Sequence, residues 1–209
     1  MVKLAERKQH AKKKIYKVQP LRSKREVDEL RQALMVHNST AHSEKLAQRN
    51  VMIFDLGRMT GLRVSDIVRL HVSDVTSRKH SFNLKIREKK TGKISNAFIT
   101  KELKKELVAY IKFMGLKKED YLFPSSKKGY HLSKVQVYRI LEDAGKLCGR
   151  DDIGTHTMRK TFGRQFYMQT HDIASLQAFF NHSSPQITLR YIGLQQDEMN
   201  KSISNLKFW

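Results

Sequence analysis

The sequence predicts a mainly α-helical domain with one small antiparallel β-sheet, an α+β arrangement in which helices form the bulk. Three observations carry that reading. Apolar residues recur every three or four positions along most of the chain, two short stretches alternate instead, and a turn-forming segment separates those two. Hydrophobic residues make up 39% of the 209, enough for a core, and no internal repeat or low-complexity linker interrupts residues 21–209.

In chain order, "SKRE" at Ser23–Glu26 has capping-box spacing, and Val27, Leu30 and Leu34 follow at helical intervals, so the first helix begins there. A second helix covers Glu44–Met59, buries Leu46, Ile53 and Leu56, and stops at Gly61. "TGLRVSDIVRLHVSDV", Thr60–Val75, restarts as a short helix. "FNLKIRE" at Phe82–Glu88 alternates Phe82, Leu84 and Ile86 with polar residues, "ISNAFIT" at Ile94–Thr100 is its return strand, and "KKTGK" at Lys89–Lys93 is the hairpin tip. Helical spacing resumes with Leu103, Leu107, Ile111 and Met114 before Gly115, and again with Val137, Ile140, Leu141 and Ala144 after a cap at Ser133. Met158, Phe162 and Phe166 share one face of the next helix; Asp172 caps a helix burying Leu176, Phe179 and Phe180; Ser184 and Pro185 open another. The tail, with Met199, Ile203 and Leu206, is a short amphipathic helix followed by Phe208 and Trp209.

Charge narrows the function classes. Lys and Arg number 41 against 20 Asp and Glu, a formal net charge of +21 that points to a polyanionic partner, nucleic acid first. No stretch approaches the roughly 18 apolar residues of a membrane span, and the basic start lacks the apolar segment of a secretory signal, so a cytoplasmic protein without membrane contact is expected. One cysteine, Cys148, excludes an internal disulfide and a cysteine-based zinc cluster, and no histidine pair has metal-ligand spacing.

Apolar periodicity leaves several residues unexplained. His156 and Arg159 stand i, i+3 on one helix, His182 sits at a helix-to-loop junction, and Tyr191 follows it by nine residues across a short capped helix. With "TGLRVSD" carrying Arg63, "KKTGK" carrying Lys90, "HTMR" carrying His156 and Arg159, "NHSS" carrying His182 and "RYIG" carrying Tyr191, the chain resembles the tyrosine recombinase (phage integrase) family in motif order and spacing.

That resemblance implies the family's catalytic-domain fold and a site-specific recombinase acting on double-stranded DNA through a covalent 3′-phosphotyrosyl intermediate, without cofactor or metal. It makes Arg63, Lys90, His156, Arg159, His182 and Tyr191 the catalytic set, with Tyr191 the nucleophile. Two guanidinium forks suit the anionic transition state, a histidine can take the tyrosine proton, and a hairpin lysine can protonate the leaving oxygen. Lys89 and Lys93 compete with Lys90 for that last role. Asp66, three residues after Arg63, either orients it as a supporting residue or makes an ordinary helix-surface pair. Lys12, Lys13, Lys14, Lys89, Lys93 and Lys160 are the expected DNA-binding lysines. Asn181 replaces the family's usual Gly before the second histidine, a change that asparagine's tolerance of left-handed backbone accommodates. Lys160 replaces a common histidine and affects packing or phosphate contacts.

Residues 1–20 read as a basic arm and 21–209 as the catalytic domain, with no full core-binding domain; a natural catalytic-domain-only enzyme and a fragment both fit. The tail is expected to join protomers into a dimer or tetramer on DNA. A type IB topoisomerase and a non-catalytic DNA-binding regulator are the competing classes.

Overall fold

The computed structural model describes residues 18–36, 43–76, 83–87, 92 and 94–207. Lys12, Lys13 and Lys14 of the arm, Lys89, Lys90 and Lys93 of the hairpin tip, and Phe82, Phe208 and Trp209 lie outside them. The architecture is mainly helical with one two-stranded sheet, as the periodicity predicts.

Ser23 caps α1 (Lys24–Val36) by accepting from the Glu26 N–H at 3.1 Å. The reciprocal half of the expected capping box is redirected. The Glu26 carboxylate accepts from the Arg22 N–H and pairs with Arg150, both at 2.8 Å. α2 (Ser43–Thr60) is the central helix and packs against α1, α5 (Lys101–Met114) and α7 (Thr155–Thr170). The segment expected to form one short helix makes two, α3 (Val64–Ile67) and α4 (Val72–Thr76). The strands β1 (Asn83–Arg87) and β2 (Ile94–Phe98) pair antiparallel, with Leu84 opposite Ala97 and both buried. Thr100 leaves the sheet to cap α5 through the Leu103 N–H. α6 (Lys134–Leu147) opens on a complete Ser133–Gln136 capping box.

Two apolar clusters divide the interior. The larger gathers Leu30, Leu34, Phe54, Leu56, Ile67, Leu103, Leu107, Phe123, Leu141 and Met158. The smaller consists of Leu176, Phe180, Ile192 and Leu194, with Phe162, Phe166, Phe179 and Tyr191 packed on it. Its frame is α8 (Ile173–Phe180), α9 (Pro185–Tyr191) and α10 (Leu194–Ser204). The single face expected of α7 therefore splits: Met158 enters the larger cluster, while Phe162 and Phe166 enter the smaller. An i, i+4, i+8 row drifts about 40° per step around a helix of 3.6 residues per turn, enough to serve two neighbours in succession. The C-terminal apolar stripe is left uncovered. Met199, Ile203 and Leu206 are 56%, 49% and 58% exposed, and only Leu194 is buried.

Candidate active site

The site is built where α2 ends, α7 begins and α9 ends. Gly61 closes α2 in the left-handed region at φ 66°, and a Cβ there would collide with the Phe162 ring. The turn leaves Arg63 with extended backbone as the N-cap residue of α3, and its carbonyl accepts from the Asp66 N–H at 2.8 Å. Asp66 itself is buried.

Gly154 starts α7, whose first turns carry His156 and Arg159. Arg159 is only 6% exposed; its Nη1 donates to the Gly61 carbonyl, and the guanidinium lies 4.6 Å from the Phe180 ring centroid and 5.2 Å from that of Phe179. Two aromatic faces and a backbone acceptor leave this fork little rotamer freedom. Arg63, Lys134, Val135, Tyr138, His156 and Arg159 line one open cleft of about 630 Å³.

The turn after α8 depends on Asn181, left-handed at φ 56°, so asparagine does supply the backbone a glycine would. It places His182, whose Nδ1 lies 3.0 Å from the hydroxyl of buried Thr188. Ser184 and Pro185 then open α9, and Tyr191 is its last residue. Tyr191 Oη stands 3.2 Å from His156 Nδ1, within hydrogen-bonding distance, and its ring meets those of Phe180 and His182 edge-on at 5.1 Å each.

Electrostatics follow from this packing. Burial pushes the Tyr191 hydroxyl above the ordinary tyrosine value, while the charges of Arg159 and Arg63 and a hydrogen bond from Arg159 pull it back. Burial, then Arg159 and Arg63, hold His182 below the ordinary histidine value and favour the neutral ring. Both effects suit a site that binds an anion, because the cations are fixed before it arrives.

Five of the expected catalytic residues therefore share one neighbourhood: Arg63, His156, Arg159, His182 and Tyr191. Lys160 is a correction. It was expected to contact DNA, but it is 6% exposed, and its ammonium donates inward to the Val18 carbonyl at 2.6 Å. Its position on α7, directly after Arg159, carries it away from solvent. Periodicity missed Thr188, the Gly61 carbonyl and the two aromatic faces around Arg159. Among the described residues no three His, Cys, Asp or Glu side chains are grouped to hold a metal, and no helix is long and apolar enough to cross a membrane.

The comparisons with known proteins agree. The family model "Phage integrase family" matches residues 24–198. "Probable integrase/recombinase YoeC" of Bacillus subtilis is 43% identical over 180 residues, covering 86% of this chain and 92% of that protein. "Tyrosine recombinase" of Pseudothermotoga lettingae is 29% identical over 160 residues, covering 76% of this chain and 54% of that protein. The crystal structure of XerA recombinase shares the fold at TM-score 0.65 and 22% identity, over 91% of this chain and 66% of that one. XerH site-specific recombinase bound to palindromic difH substrate, in a post-cleavage complex, also gives 0.65 at 20% identity, over 88% and 52%. A tyrosine, two arginines and two histidines gathered on this fold, with a family model spanning most of the sequence, lead to one conclusion: the chain belongs to the phage integrase family of tyrosine recombinases.

Proposed function

We propose that this chain breaks and rejoins double-stranded DNA at specific sites through a 3′-phosphotyrosyl ester on Tyr191. The observation that carries the reading is the 3.2 Å approach of Tyr191 Oη to His156 Nδ1 beside a fixed Arg159. The Tyr191 oxygen attacks phosphorus as neutral His156 accepts its proton. The bond to the 5′ oxygen breaks, and Lys90 supplies that oxygen with a proton. Arg63, Arg159 and His182 bind the nonbridging oxygens, where charge accumulates. The ester conserves the bond energy, and a 5′ hydroxyl from another strand reverses the steps. Asp66 supports Arg63 from the same short helix.

The test uses a pool of nicked duplexes of randomised sequence and recovers protein-linked DNA under denaturing conditions. The parent chain yields adduct; Tyr191→Phe yields none while binding DNA with similar affinity. Adduct from the Phe variant would move the nucleophile elsewhere. Arg159→Ala lowers adduct formation by about 10²- to 10³-fold, the usual loss of one preorganised charge donor.

The reading extends to partners. Residues 21–209 act as the catalytic domain, and the lysines of residues 1–20, with Lys89 and Lys93, contact phosphates. A C-terminal segment left with Met199, Ile203 and Leu206 in solvent supports docking on a second protomer once two share a duplex. Deleting residues 199–209 should leave single-site binding intact and abolish assembly; a DNA-bound tetramer of the truncated chain, seen by sedimentation, would overturn this.

A further inference from the structure

A lysine as buried as Lys160 is costly unless polar partners hold its ammonium. Its Nζ donates to the Val18 carbonyl at 2.6 Å and lies 5.1 Å from the centroid of the Tyr191 ring. Val18 belongs to a strap, Val18–Arg22, that crosses α7 before α1 begins. The Gln19 N–H donates to the Asp152 carbonyl at 3.0 Å, and the Leu21 N–H donates to the hydroxyl of buried Thr161 at 2.9 Å. Arg22 pairs with Asp197 of α10 at 3.0 Å, and the same carboxylate takes Arg164 of α7 at 2.7 Å. Pro20 fills the space above Gly193, where an added Cβ would stand 3.2 Å from its ring. The strap thus touches the chain on both sides of the nucleophile, and Lys160 joins its backbone to the ring.

We propose that Lys160 is a positioning residue for Tyr191: it holds the ring against the strap, and its fixed charge steadies the phenolate as the hydroxyl loses its proton. The inference rests on Tyr191 being the nucleophile. A cation over an aromatic face is attracted to the ring's quadrupole, and more strongly to the anion formed on deprotonation. The other titratable or charged groups facing Tyr191 are His156 and Arg159 from α7, Arg63 from the start of α3, and His182 from the turn before α9. Lys160 ties that group to the strap through its bond to the Val18 carbonyl.

The experiment measures adduct formation by the full chain between about pH 6 and pH 9, on nicked duplexes enriched by the parent from the randomised pool. Removing a cation raises the nucleophile's pKa. Lys160→Met should therefore form adduct about ten-fold more slowly across this whole range, because the Tyr191 hydroxyl, held above the ordinary tyrosine value, stays largely protonated throughout it, with DNA affinity unchanged. Lys160→Arg, which keeps the charge, should follow the parent's pH profile. A Met variant equal to the parent throughout, or an Arg variant as slow as the Met variant, overturns the proposal. Should the Met variant fail to fold, the Arg variant decides: adduct formed about ten-fold more slowly than by the parent overturns it. Tyr191→Phe runs alongside. Adduct in that variant sinks the nucleophile assignment itself, whereas no adduct there, with Lys160→Met behaving as the parent, sinks only the role of Lys160.

Discussion

Thr188 has no exposed surface, and its hydroxyl is the neighbour of His182 Nδ1 at 3.0 Å. The hydroxyl proton has a second acceptor, the Ser184 carbonyl at 3.4 Å; turned instead to the nearer His182 Nδ1, it leaves the neutral ring's proton on the other nitrogen, where it can serve a phosphate oxygen. The depressed proton affinity of His182 keeps the ring neutral around pH 7, so this partner decides which way the donor faces. Thr188→Val, nearly isosteric, should lower adduct formation by about five-fold while leaving the fold intact, since one neutral hydrogen bond is worth about 1 kcal/mol. Thr188→Ser should recover most of it, and an unchanged rate for the Val variant would show that the ring orients without this hydroxyl. The nine-residue step from His182 to Tyr191 was legible in the sequence because one short helix spans it. The Gly61 acceptor of Arg159 was not, because 98 residues separate the pair, nor was the Val18 acceptor of Lys160, 142 residues away. Spacing rules reach along one element; these bonds exist only after α2, α7 and the strap have packed.

Among the elements, the caps were read well. Ser23, Ser133, Asp172 and Ser184 all accept from a backbone N–H within the first turn of their helices, and only the residue type and its neighbours three positions on are needed to see it. The break between α3 and α4 was not legible, because it depends on Leu70 and Val72 pairing their backbones with Leu122 and Asp120. Nor was the crossing of α7 over α8 and α9 at Gly163. A Cβ there would stand 2.6 Å from the Phe180 ring and 2.9 Å from Ile192. In an open helix, glycine to alanine gains about 1 kcal/mol. At this crossing, overpacking costs about 1–3 kcal/mol, and the contact wins because both neighbours are core side chains rather than flexible ends. Gly163→Ala should therefore lower the denaturant midpoint and slow adduct formation, since Ile192 adjoins Tyr191. A stabilised variant would mean that α8 and α9 shift without cost.

At the scale of the molecule, the proposed catalytic groups divide between two apolar clusters. Arg63 sits on the wall of the larger one, beside α2 and α3. Tyr191 rides on the smaller, whose buried members among the described residues are Leu176, Phe180, Ile192 and Leu194. A cluster with so few buried side chains opens at a lower free energy than a large one, and it opens as a unit. Backbone amides of α8 and α9 should exchange with solvent deuterium through a shared opening a few kcal/mol below global unfolding, while those of α2 exchange only when the whole chain unfolds. Equal protection in both sets, measured by native-state exchange, would show a single cooperative unit. The divided interior then has a kinetic meaning: the helix bearing the tyrosine can detach and return while Arg63, one of the groups proposed to hold the phosphate, keeps its place, so the two halves of the proposed site need not be available over the same fraction of time.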